Sequence, residues 1–289
     1  MAAPDGTTSV HLTRSAVDRG VARLPPRLRW AAGALRLTLR EPADGVDRIL
    51  VRAREMVGHG RQPNQAYTVA ADWHKQLHTH MGSPWPCPWT AEFGQLWEQV
   101  ADDVHAEGVS LGRGTYGGWD DGDPGLARAI WCLMRSFRPH KVVETGVAHG
   151  VTSRIVLEAL ERAGSGHLWS IDLPAMDPSL HDQIGIAVPE RLRQRWSYIA
   201  GTSRRRLPGL LQAIAPIDLF IHDSGHTERN MLFELRQAWP AISRGVLVAD
   251  DIHQSAAFAR FTASVSAADS YAAAADDAGA LFGIVIKES

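Results

Sequence analysis

Two short acidic runs carry the strongest chemistry in the chain: Asp223-Ser-Gly-His226 and Asp250-Asp251. Each follows a short apolar run, Asp218–Ile221 and Val246–Ala249 respectively. If those runs are neighbouring strands, three carboxylates converge on one edge, where like charges repel unless a cation or hydrogen bonds compensate. Oxygen donors suit Mg2+ or Mn2+, with water and substrate completing an octahedron. His226, three residues past Asp223, then stands just above the strand end. A neutral imidazole there can take a proton from a substrate hydroxyl. The plainer alternative is one helix-capping Asp and one solvated Asp.

A second constellation precedes it. Glu144-Thr-Gly146-Val-Ala-His-Gly150-Val-Thr152-Ser153 reads as a strand end, a glycine turn and a helix start. Glycines let backbone approach a bound molecule, and free N–H groups at a helix start meet anionic groups. The spacing is Gly-x-x-x-Gly, not the dinucleotide Gly-x-Gly-x-x-Gly. An acid two residues before the first glycine suits an ammonium-bearing ligand better than a pyrophosphate. The alternative is that Gly146 and Gly150 only shape a tight turn. Asp172 ends the next apolar run, 22 residues after Gly150, where an acid accepts both hydroxyls of a ribose. Gly201-Thr202-Ser203 follows the third run and is placed either to meet an adenine edge or to cap a helix.

These residues need a scaffold that aligns strand ends. From Pro124 onward, Lys141–Glu144, His167–Ile171, Ser197–Ala200, Asp218–Ile221 and Val246–Ala249 recur between helix-period stretches. Such alternation predicts an α/β fold, a Rossmann-like, mostly parallel sheet with helices on both faces. Ser270–Ala275 and Leu281–Lys287 flank Asp276-Asp-Ala-Gly279 and predict a C-terminal antiparallel hairpin. The chain before them divides into a partly flexible arm (1–40), holding the Leu35/Leu37/Leu39 stretch, and a helical lobe (41–122), mainly helical and interrupted at Pro84-Trp-Pro-Cys-Pro88; the sheet domain spans 123–289. Helical spacing marks Val46, Ile49, Leu50 and Ala53, then Phe93, Leu96, Trp97 and Val100.

Composition narrows the function. Lys and Arg number 30 against 32 Asp and Glu, a net charge of −2, which argues against a dominant nucleic-acid or anionic-membrane role. Cys87 and Cys132 form no Cys-x-x-Cys pair, so a thiolate zinc site and a disulfide framework are not expected. No apolar run has the length of a membrane span, and Met1 to Val10 lack a signal-peptide layout, so the expectation is a soluble cytoplasmic protein.

The run from about Leu126 to Asp251 resembles the class I S-adenosylmethionine-dependent methyltransferases. More narrowly it resembles the metal-dependent O-methyltransferases of sugar and natural-product tailoring, the macrocin and mycinamicin types and related "type 24" methyltransferases. Val142-Val-Glu-Thr-Gly-Val-Ala-His-Gly-Val-Thr-Ser153 carries the likeness to the first motif of that class. The resemblance implies that S-adenosyl-L-methionine binds at Glu144, Gly146, Gly150, Thr152, Ser153, Asp172, Thr202 and Ser203. It implies Mg2+ or Mn2+ at Asp223, Asp250 and Asp251, with His226 as base. Many relatives read Asp-Gly-Asp-His near the fourth strand; here Gly225 replaces the second acid, which leaves His226. The acceptor implied is the hydroxyl of a sugar, polysaccharide or glycosylated natural product. A homo-oligomer is compatible with this reading.

Two rivals predict different things. A nicotinamide-dependent oxidoreductase would bind NAD, and the missing third glycine disfavours it. A non-catalytic cofactor-binding scaffold would keep the glycine turn yet tolerate loss of the acid cluster. A nucleic-acid methyltransferase is disfavoured by the lack of an Asn/Asp-Pro-Pro-aromatic motif. In the first half, Trp73, Trp85, Trp89, Trp97 and Trp119 form either a substrate cap or the core of a helical lobe. His74, His78 and His80 read as a solvated or stacked cluster more readily than as a zinc site, since no fourth ligand is evident. Arg204-Arg-Arg206 reads as a solvated helix start or as a contact for an anionic substrate.

Overall fold

The computed structural model describes residues 24–56, 67–266, 269–275 and 280–288. Most of the 1–40 arm and the Asp276–Gly279 turn lie outside the described residues. The chain opens with α1 (Pro26–Arg40), where Pro26 at the first helical position costs no hydrogen bond. This part of the expected arm is therefore helical. Its Leu37 is buried, whereas Leu35 and Leu39 are exposed. Next comes α2 (Pro42–Met56), on which Val46, Ile49 and Leu50 share a face as their spacing predicts; that face is exposed. Then follow α3 (Trp73–His80), α4 (Thr90–Ala106) and an antiparallel pair, β1 (Gly112–Tyr116) with β2 (Trp119–Asp121). The pair turns at Gly117-Gly118, both with positive φ, within the lobe expected to be mainly helical.

Helix α5 (Pro124–Phe137) begins at Asp123, whose carboxylate caps the Leu126 N–H at 2.8 Å. The main sheet then builds through β3 (Lys141–Thr145), α6 (Val151–Ala163), β4 (His167–Asp172), β5 (Trp196–Ala200), α7 (Ser203–Ile214), β6 (Ile217–His222), α8 (Glu228–Ala241) and β7 (Ile242–Ala249). A short α9 (Ala257–Thr262) leads to β8 (Asp269–Ala274) and β9 (Leu281–Lys287). The strand order is β5-β4-β3-β6-β7-β9-β8; the first five pair in parallel, and β9 pairs antiparallel with both β7 and β8. The protein has the α/β fold, the mostly parallel Rossmann-like sheet, the C-terminal hairpin and the helical N-terminal region that the sequence predicts.

Each face of the sheet buries its own cluster. Leu207, Leu211, Met231, Leu235, Phe258 and Phe261 cover one face. On the other, Ile130, Leu133, Ile155 and Leu157 join Trp73, Leu77, Phe93, Val100 and Val104. The helical stretch before α5 therefore shares a core with the sheet. Burying a side chain of this size stabilises the fold by roughly 1.5–3 kcal/mol, so that junction is as firm as the interior. Among the described residues, no helix is long and apolar enough to cross a membrane.

Candidate active site

Parallel pairing sets the strand ends level. Thr145 pairs with Ile171 and His222, and His222 with Ala249. Four backbone bonds clip the turns beyond them: Gly146 N–H to Ile171 O (2.9 Å), Asp223 N–H to Thr145 O (2.8 Å), Asp250 N–H to His222 O (2.8 Å) and Gly201 N–H to Asp172 O (2.8 Å). The chain leaves β3 toward β4 on one side and reaches β6 on the other, so the strand order reverses here. At such a point the carboxyl edge of an open sheet opens into a ligand crevice.

The glycine turn is shaped by what presses on it. Gly146 has φ +90°, and a Cβ there would lie 1.9 Å from the Asp223 carbonyl oxygen. Gly150, at φ +84°, precedes α6, and a Cβ would lie 2.9 Å from the Gly185 Cα. Glu144 is fully buried. Its Oε2 accepts hydrogen bonds from Ser153 Oγ and Ser170 Oγ, both at 2.6 Å. Its Oε1 is buried with no hydrogen-bond partner. Burial lifts the Glu144 pKa to about 7 against those two bonds. Ser153 thus braces Glu144. Thr152 donates to Asp223 Oδ2 at 3.3 Å and links the turn to the acid cluster.

Asp172 also keeps one buried carboxylate oxygen, Oδ2, without a hydrogen bond. Burial raises its pKa to about 7, opposed chiefly by Arg48. Arg48 comes from α2 and stands over the Trp119 ring, 5.8 Å from its centroid, so the N-terminal region reaches Asp172. The same region engages the third strand's turn. Thr202 Oγ1 donates to Glu41, Arg205 lies 3.3 Å from Glu41 Oε1, and Arg204 lies 3.2 Å from Asp44 Oδ1. Ser203 Oγ reaches Asn230 Oδ1 at 3.4 Å. Thr202 makes no capping bond, so its hydroxyl is neither the expected helix cap nor aimed at an open crevice. Arg204 and Arg205 are ion-paired, while Arg205 and Arg206 stay exposed as a solvated helix start does.

Next along the edge stands the acid cluster. Ligand atoms of Asp223, His226 and Asp250 all lie within 4.8 Å of one another. Burial first, then Glu144, Asp121 and Asp251, hold the Asp223 carboxyl well above the usual range. Burial, then Asp251 and Asp223, does the same at Asp250. Asp251 falls outside that close group; its Oδ2 lies 3.5 Å from His226 Nε2 and accepts from the Gln254 amide. Asp251 has φ +52°, a left-handed turn residue, so its side chain departs from the direction of Asp250.

Two supporting networks were not read from the sequence. Behind the acids, His222 Nδ1 lies 2.6 Å from Glu234 Oε2, both side chains fully buried. Thr145 and Ser224 hydroxyls and the Asn230 amide also donate to Glu234, at 2.5, 2.8 and 2.9 Å. Above the glycine turn, Asp121 at the end of β2 accepts from the His149 N–H at 3.2 Å and meets His149 Nδ1 at 2.6 Å. No local spacing signals either pairing; the only hint is a His next to each motif.

The first half holds a correction. Cys87 and Cys132, 45 residues apart, bring their Sγ atoms to 3.4 Å, both buried. Lack of a Cys-x-x-Cys motif excludes only a locally formed pair. Of the three histidines, His78 is buried beside this pair and His74 stacks on Trp73 with centroids 3.5 Å apart. Trp73 is core, whereas Trp85 is 44% exposed.

The site residues expected from the sequence fall in one segment. Residues 143–252 match the family model of the methyltransferase domain. That segment runs from β3 to the turn past β7. It holds the glycine turn, Asp172, Asp223, His226 and both C-terminal acids. No curated protein matches the chain. Among solved structures, a Klebsiella pneumoniae protein assigned as an O-methyltransferase aligns with TM-score 0.51 and 13% identity, over 74% of this chain and 96% of that one. A Bacillus cereus O-methyltransferase in complex with S-adenosylhomocysteine aligns with TM-score 0.49 and 14% identity, over 66% and 90%. The Streptomyces achromogenes O-methyltransferase TomG, involved in tomaymycin synthesis and in complex with S-adenosylmethionine, aligns with TM-score 0.47 and 14% identity, over 66% and 89%. At such identities the likeness to the Klebsiella protein is one of fold.

Proposed function

We propose that the protein is an S-adenosylmethionine-dependent O-methyltransferase acting on a hydroxyl of a sugar, polysaccharide or glycosylated natural product. The observation that carries the reading is a pair of unpartnered buried carboxylate oxygens, Glu144 Oε1 and Asp172 Oδ2, on adjacent strand ends. A buried acceptor without a donor costs about 1–3 kcal/mol, so these two fit a ligand that brings an ammonium group and ribose hydroxyls. The adjoining acids fit a hard divalent cation: half-buried Asp223 helps raise the Asp250 pKa, Asp251 helps raise both, and the group brings oxygen donors together.

When bound, S-adenosylmethionine supplies an electrophilic methyl group, and Mg2+ or Mn2+ supplies the charge that lowers a hydroxyl's pKa. Asp172 accepts the ribose hydroxyls and Glu144 the ammonium, which fixes the methyl group relative to the acids. Asp223 and Asp250, with Asp251 beside them, hold the cation. His226 takes the acceptor's proton on an imidazole nitrogen, and Asp251, 3.5 Å away, stabilises the imidazolium. Glu144 and Asp172 would hold the cofactor so that its methyl group passes to the acceptor oxygen and the thioether leaves. Most of the acceleration comes from holding the two reactants in line. Trp119, partly buried below Arg48, offers a flat face for a sugar ring.

The test is transfer of isotopically labelled methyl groups from S-adenosylmethionine into pools of saccharides and glycosides. Label in a hydroxyl-bearing product, dependent on Mg2+, supports the reading. Binding of S-adenosylmethionine with no transfer to any acceptor class would favour a scaffold.

A further inference from the structure

We propose that His78, Cys87 and Cys132 form a binding site for one thiophilic d10 cation, Zn2+ or Cu+, that ties the N-terminal helices to the methyltransferase domain. The three side chains come from α3, from the Pro84–Pro88 segment and from α5. All three are buried, and their ligand atoms lie within 4.8 Å of one another. The two Sγ atoms stand 3.4 Å apart. Zn–S bonds of about 2.3 Å and Zn–N bonds of about 2.0 Å separate tetrahedral ligand atoms by roughly 3.5–4 Å. Small side-chain rotations therefore accommodate an ion.

His78 supplies the second, independent observation. It is 1% exposed, yet neither ring nitrogen makes a hydrogen bond. Burial lowers its pKa, opposed by the neighbouring Pro84 carbonyl. A buried imidazole is expected to have partners. An ion on one nitrogen, with the other turned to a carbonyl, satisfies it in the way that orients ligating histidines generally. A disulfide between the cysteines would leave His78 as it is.

The donor set selects the ion. Two thiolates and an imidazole favour Zn2+ or Cu+ over Mg2+, which keeps this site chemically separate from the acid cluster. Among the described residues no fourth His, Cys, Asp or Glu joins the group. Trp85 and Trp89 flank His78, with ring centroids 5.4 and 6.0 Å away. Such a site has three protein ligands in an aromatic pocket. Burial and the neighbouring Cys87 push the Cys132 thiol up, partly opposed by Arg128.

The experiment takes the full chain, reduced and stripped of metal, and titrates it without oxygen. Co2+ serves as the spectroscopic stand-in for Zn2+, and Cu+ is added separately. The expected result is one ion retained per chain. With Co2+, a thiolate-to-metal charge-transfer absorption should appear. Cys132→Ser, Cys87→Ser and His78→Gln should each weaken binding by at least the roughly 10–100-fold that losing even an outer-shell partner costs. Asp250→Asn should leave the absorption intact, since it touches only the acid cluster. Should Cys132→Ser fail to fold, the loop variant Cys87→Ser decides alone. Absence of the absorption together with no Cu+ retained by folded, reduced wild type would overturn the proposal. So would unchanged affinity in folded Cys87→Ser, or a stable Cys87–Cys132 disulfide in protein purified under reductant.

Discussion

The Cβ that Gly146 lacks would lie 1.9 Å from the carbonyl oxygen of Asp223. The turn assigned to the cofactor and the strand end assigned to the cation are thus in direct backbone contact. Thr152, hydrogen-bonded to Asp223 Oδ2, is a second link between them. On the proposed reading, methyl transfer needs its two reactants held in line, and this contact would set the spacing of their sites.

Gly146→Ala should therefore damage both sites at once. The positive φ costs about 1–2 kcal/mol for a residue with a Cβ, and overlap with backbone adds about 1–3 kcal/mol. Thermal unfolding should show that loss, and S-adenosylhomocysteine and Mg2+ binding should weaken together. A variant as stable as wild type would mean the turn tolerates a side chain.

Glu234 should stabilise the protein in a pH-dependent way. Burial raises its pKa, but His222, with hydrogen bonds from Ser203 and Thr145, outweighs burial and carries it down to about 2. The folded value lies below the unfolded ~4.3, so the stabilisation is complete above about pH 5 and fades as pH falls toward 2. Glu234→Gln should cost about 3–5 kcal/mol near neutrality, as breaking a buried pair does. Melting curves across pH 2–7 should converge for the two proteins at the acid end.

His226→Ala separates a base from a metal ligand. If His226 moves the proton, kcat should fall ~10²–10⁴-fold with Mg2+ affinity little changed. Its closeness to Asp223 and Asp250 makes the control essential. Collapse of Mg2+ affinity alongside kcat would reassign it as a ligand.

Asp250→Asn tests the cation directly. It removes the carboxylate whose pKa burial, Asp251 and Asp223 together raise. Turnover should fall sharply and be partly restored by excess Mg2+, with cofactor binding preserved. Full activity of wild type in excess chelator would demote the acids to structural roles.

The strands of the sheet were legible because each is a short apolar run between turn residues; β3, β4, β5 and β6 extend the expected runs by one or two residues. The acids were legible because each lies within two residues of the end of such a run, so parallel pairing alone brings them together. Arg48 was not. It lies on a helix whose apolar face is exposed, so periodicity says nothing of where that helix docks. Nor were Cys87 and Cys132, since only the packing of α5 against the N-terminal helices makes them neighbours. Thr202 and Ser203 were half legible: the turn is where expected, but Glu41 and Asn230 engage their side chains.

Calorimetric titration of S-adenosylhomocysteine into wild type and Asp172→Ala tests the cofactor assignment most directly, with NADH as the competing ligand. Asp172 Oδ2 is buried and unpartnered at the strand end. Two charge-assisted hydrogen bonds to ribose there are worth roughly 1.5–3 kcal/mol. Wild type should bind one equivalent, and the folded variant should bind about ten- to hundredfold more weakly. Equal affinity in the two proteins, or binding of NADH in place of S-adenosylhomocysteine, would contradict the assignment.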